Sequence, residues 1–145
     1  MCLDYFFKKK YGISKPNNTK DIGWKMLHDI LIKEFNCDNI VITDKKYKTA
    51  PFVEYERFLR YDKTDKLVYV SEWFDCDDFA VRLYGNFTVP YWSRLAFGEI
   101  FVKTETINHA LNFFIDNDHD IWLVEPQNDE IFKIPDNWEV YRIDI

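Results

Sequence analysis

Trp73-Phe74-Asp75-Cys76-Asp77-Asp78-Phe79-Ala80 is the stretch from which the fold is read. It sets a thiol where a polar, turn-like segment passes into an amphipathic run. The spacing predicts a helix from Cys76 to Tyr84, closed by Gly85 as a C-terminal cap. A thiol in the first helical turn sees the positive end of the helix dipole and unpaired backbone N–H groups. Both favour thiolate over thiol, and the same N–H groups can stabilise an oxyanion.

Beyond Gly85 the chain becomes strand-rich. Strands are predicted over 96–102, 109–115, 120–125, 130–134 and 139–145, separated by short turns. Such turns imply an antiparallel meander. The Asp116-Asn117-Asp118 turn joins the second and third of these strands. A hairpin centred there sets His109, at the start of one strand, almost opposite Glu125, at the end of the next. One residue of register slip would undo this. A nucleophile, a base and an orienting carboxylate in that chain order can work as a unit. Each member alone has a plainer reading: a lone cysteine is usually a small hydrophobe, and a lone histidine opening a strand is usually structural.

Before Cys76, Asp21 is the expected N-cap of a helix over 22–35, whose Trp24, Leu27, Leu31 and Phe35 share one face. Residues 40–43 read as a short strand and 45–50 as a polar connection. Residues 54–61 read as a helix and 67–70 as extended. The helical part is expected over about 1–85 and the sheet part over about 96–145, in a single domain spanning 1–145.

Composition narrows the function. Of 145 residues, 47% are hydrophobic and 19% aromatic, enough for a folded core. A net charge of −6 argues against a nucleic-acid partner, and Lys8-Lys9-Lys10 reads as a solvated run. Cys2, Cys37 and Cys76 show neither disulfide nor zinc spacing. There is no secretory leader pattern and no apolar run of membrane-spanning length, so a cytoplasmic protein without a membrane partner is expected, a phage-borne origin included. Asp116-x-Asp118-x-Asp120 lacks the glycine and glutamate of a calcium-binding loop and reads as a hairpin turn.

At Phe74–Ala80, His109-Ala110-Leu111-Asn112 and Glu125-Pro126-Gln127 the chain resembles the protease domain of the fairy-ring mushroom agglutinin and its phage and prokaryotic relatives. The resemblance covers roughly residues 54–134. It implies an α+β, papain-like (transglutaminase-like) fold with N-terminal helices packed on the meander. It implies a cysteine protease, a thiol hydrolase acting on a peptide or protein substrate, with Cys76 as nucleophile, His109 as base and Glu125 as orienting carboxylate. It also implies calcium (Ca2+) near the site, held by Asp77 and Gln127. The chain departs from the papain pattern at Val70, where an oxyanion-hole glutamine would stand, leaving Trp73 as an N–H donor. Asp75, Asp77 and Asp78 also crowd the thiol with negative charge. Transglutaminase or deamidase chemistry uses the same machinery. A non-catalytic binding or assembly module, or a metal-dependent hydrolase using Asp77, Asp78 and Glu125, are the other readings.

Overall fold

The computed structural model describes residues 3–145. Cys2 lies outside the described residues. The elements run α1 (Leu3–Tyr11), β1 (Lys20–Gly23), α2 (Trp24–Phe35), β2 (Ile40–Val41), β3 (Lys46–Thr49), α3 (Phe52–Tyr61), α4 (Cys76–Phe87), β4 (Phe97–Lys103), β5 (Asn108–Ile115), β6 (Ile121–Glu125), β7 (Glu130–Phe132) and β8 (Glu139–Asp144).

A six-stranded sheet in the order β2-β8-β4-β5-β6-β7 forms the centre, and β1 pairs with β3 in a separate two-stranded sheet. Strands β4 to β7 follow one another as antiparallel neighbours, as the short turns require. β8 departs from the expected meander. It crosses back to pair with β4 on the far side, and β2 joins it in parallel. The return buries Val140 and Ile143, which share one side of β8, and the terminal Ile145. It also needs Gly98, where a Cβ would meet the Asp144 carbonyl oxygen.

Strand β5 shows why helices cover both faces. Leu111, Phe113 and Ile115 point to one side, where Leu27, Leu31 and Phe35 of α2 meet them. Phe114 points to the other side, into Phe7 of α1, Tyr55, Phe58 and Leu59 of α3, and Leu83 and Phe87 of α4. A strand buried on both faces reads as a near-continuous apolar run, as this one does. Burying each large side chain contributes about 1.5–3 kcal/mol. The expected single layer of N-terminal helices on a meander is thus corrected to a mixed sheet covered on both faces.

Three local expectations are also revised. Asp21 lies in β1 and pairs with Lys48 at 2.6 Å, so Gly23 precedes α2 instead. Residues 46–49 form a strand because Tyr47 and Thr49 alternate inward between outward lysines. Helix α4 runs past Gly85 to Phe87, whose ring stacks on Phe97 at 4.0 Å. That burial outweighs the roughly 1 kcal/mol a mid-helix glycine costs. No helix among the described residues is long and apolar enough to cross a membrane.

Candidate functional site

Cys76, Ala80, Leu83 and Phe87 recur at helical spacing, so they line one face of α4. Ala80, Leu83 and Phe87 are buried and Cys76 is half-buried. Phe87 stacks on Phe97, which pairs with Phe114 near the end of β5. Ala80 sits against Asn112, whose Nδ2 donates to the Ala80 carbonyl at 3.0 Å. The helix therefore runs along β5 in the same direction, and its first turn arrives near the β5 start. There Ala110, small and buried on the Asn112 side, leaves room for it.

His109 stands beside Ala110. Its Nε2 lies 2.7 Å from Glu125 Oε2, both side chains largely shielded. The expected hairpin explains the pair, since β5 and β6 are antiparallel around the 116–120 turn. Glu125 is fixed from its other oxygen, where Oε1 accepts from the Gln127 backbone N–H at 3.2 Å. With Nε2 engaged, Nδ1 is the free ring nitrogen. No hydrogen bond among the described residues joins Cys76 to His109, so the structure brings two of the three residues into contact and the third to the same end of β5.

The first turn of α4 is built as a capping box. The Asp75 backbone N–H donates to Asp78 at 3.2 Å, and the Phe79 N–H donates to the Asp75 carbonyl at 3.0 Å. Asp78 is thereby occupied in helix initiation. Asp77 is held above the usual carboxylate range by its hydrogen bond with Asp75, with partial burial adding to the shift. The Cys76 backbone N–H has no hydrogen-bond partner among the described residues and suits an oxyanion. Trp73 is 84% exposed, and Val70 closes a small turn with Phe74.

Ligand atoms of Asp75, Cys76 and Asp77 lie within 4.8 Å of one another. The two carboxylates offer the oxygen that calcium prefers, but calcium takes about 6–8 oxygens. Asp75 and Asp77 supply two carboxylates toward that number. No hydrogen bond joins Asp77 to Gln127, whose backbone serves Glu125 instead. The 116–120 acidic run is a satisfied turn, as expected. Asp116 accepts from the Asp118 and Asp120 backbone N–H groups at 2.9 and 3.0 Å and from Trp122 Nε1 at 2.9 Å.

Asn112 was missed by sequence reasoning. A buried amide inside an otherwise apolar strand, three residues after His109, was the signal that could have found it.

No family model and no curated protein matches the chain. Solved structures share its fold, two of them as follows. One is described as the PSL1a–E64 complex, with a TM-score of 0.73 and 20% identity, covering 86% of this chain and 50% of that one. The other is Polyporus squamosus lectin bound to the human-type influenza-binding epitope Neu5Aca2-6Galb1-4GlcNAc, with a TM-score of 0.74 and 20% identity, covering 86% of this chain and 49% of that one. The chain spans about half the length of these structures. This likeness corrects the resemblance drawn from the motifs. The papain-like (transglutaminase-like) assignment, with its hydrolase and cysteine-protease designation, gives way to the fold shared with these lectin structures.

Proposed function

We propose that Cys76, His109 and Glu125 form one thiol-centred site that transfers acyl groups from amides of a peptide or protein substrate. What carries this reading is the His109–Glu125 pair at 2.7 Å, set at the strand end that the Cys76 turn of α4 approaches. The Cys76 thiol passes its proton to Nδ1 of His109, and the sulfur attacks the carbonyl carbon. The new C–S bond forms as the carbonyl π pair moves to oxygen, toward the Cys76 N–H. Collapse breaks the C–N bond, and the leaving amine takes the proton from His109. Glu125 accepts from Nε2–H throughout, fixing the tautomer and stabilising the imidazolium. Water or a second amine then takes the acyl group from the thioester and restores the thiol. Calcium has no step in this reading.

A second reading is a binding module without catalysis, and the comparisons favour it. The neighbour's epitope is a sialylated glycan, which makes a glycan the ligand class to test. The chain's own support is an exposed apolar run with Val68 at 76% and Trp73 at 84%. An exposed indole offers a flat apolar face to a sugar ring.

One experiment separates them. E64, an epoxide that alkylates activated thiols, is incubated with a Cys2→Ser/Cys37→Ser protein, and the adduct is located by mass spectrometry. An adduct on Cys76 that is lost in His109→Ala supports the acyl-transfer reading. No adduct, with glycan binding that survives Cys76→Ala and falls in Trp73→Ala, supports the binding module.

A further inference from the structure

We infer that Asn112 is a positioning residue that sets the distance between Cys76 and His109; the inference rests on the acyl-transfer reading above. Asn112 is fully buried on β5, three residues from His109 on the same strand. Its Nδ2 donates to two elements at once: to the Ala80 carbonyl of α4 at 3.0 Å and to the Gly98 carbonyl of β4 at 3.3 Å. Ala80 lies one turn after Cys76 on the same face of the helix. The amide thus ties the helix carrying the thiol to the strand carrying the imidazole, one helical turn from the reacting atoms.

Two further observations set Asn112 apart from ordinary packing. The Ala80 carbonyl is mid-helix, where the helix supplies its own donor, so the extra bond is not needed to satisfy that carbonyl. The amide's Oδ1 also has no hydrogen-bond partner among the described residues. A buried orphan oxygen costs stability that an apolar side chain would avoid. The surrounding strand positions are apolar, with Leu111, Phe113 and Phe114 all buried. An amide here is therefore poor as core filling and good as a two-ended staple. Apolar contacts such as Leu83 and Phe87 press α4 onto the sheet but leave it free to slide. A directional bond fixes its axial position.

The test measures the second-order rate of Cys76 alkylation by E64 in the Cys2→Ser/Cys37→Ser background, each variant with and without His109→Ala. The variants are Asn112→Val, which removes both donated bonds, and Asn112→Ala, as a smaller replacement if valine prevents folding. Leu83→Ala is the control, since it loosens the same helix face but keeps the staple. Thermal melts confirm that each protein folds. The expected result is an at least tenfold loss of the His109-dependent acceleration in the Asn112 variant, with the acceleration kept in Leu83→Ala. If the parent shows the acceleration and the folded Asn112 variant keeps it, the inference is overturned while the acyl-transfer reading stands. Equal loss in Leu83→Ala also overturns it, because packing alone would then suffice. No acceleration in the parent overturns the acyl-transfer reading, and the inference falls with it.

Discussion

His109 Nε2 and Glu125 Oε2 lie 2.7 Å apart, joined across the ends of two antiparallel strands that meet in a tight aspartate-rich turn. The contact is a product of topology: shortening or lengthening the turn by one residue would send one partner to the opposite face. The Gln127 backbone N–H holds the second carboxylate oxygen, so the carboxylate is aimed as well as near. In a site built on Cys76, this fixes which ring nitrogen remains for the thiol.

Glu125→Gln keeps the shape and removes the charge. It is expected to lower the His109-dependent rate of Cys76 alkylation by about 10- to 100-fold, part of the roughly 10²–10⁴-fold a positioned base contributes. The melting temperature should change little. The check is a stopped-flow alkylation series over pH for both proteins.

Asp129 supplies a pH prediction for stability. Burial, then the charges of Asp65 and Asp62, pushes its carboxyl up to about 6. The folded state therefore holds this proton more tightly than the unfolded chain. The associated stability is present at acid pH and is lost as pH rises from about 4 through 6. Asp129→Asn should remove that loss and stabilise the protein at pH 7.5 by on the order of 1 kcal/mol, after discounting for solvent screening of a partly exposed group. Its left-handed backbone, φ 61°, suits asparagine. Urea unfolding of both proteins at pH 4.5 and 7.5 is the measurement.

At Gly98 the backbone of β8 closes over β4. An added Cβ would meet the Asp144 carbonyl oxygen and lie 2.9 Å from the Phe113 ring. Gly98→Ala is expected to destabilise by about 1–3 kcal/mol, by forcing β8 away from the sheet. Chemical denaturation reads this directly.

Gly85 makes the opposite case. It is exposed inside α4, and a Cβ there meets nothing within 4 Å. Gly85→Ala should stabilise by about 0.5–1 kcal/mol, through helix propensity and lower unfolded-state entropy. A thermal melt suffices.

Strands β4 to β7 were legible because their apolar runs are separated by turns with clear chemistry, and the His109–Glu125 pairing followed from that hairpin. The place of β8 was not legible. Val140, Ile143 and Ile145 signal burial but do not name a neighbour, and only Gly98 in β4 hinted at so close an approach. Strand β3 was hidden because lysines alternate with Tyr47 and Thr49, which dilutes its apolar signal. Gly85 misled because its intrinsic preference for helix ends was overridden by Phe87 stacking on Phe97. Asn112 escaped notice because a single amide in an apolar strand shows its partners only once the strand and helix are packed. The start of α4 at Cys76 was read correctly because Asp75 and Asp78 carry the capping signal locally.

The most direct test of the central claim is the pH dependence of Cys76 alkylation by iodoacetamide in the Cys2→Ser/Cys37→Ser protein, with and without His109→Ala. The account predicts fast labelling below about pH 7 that His109→Ala abolishes, the mark of an activated thiolate. Slow labelling that follows an ordinary thiol near about 8.5, and is indifferent to His109, would contradict it.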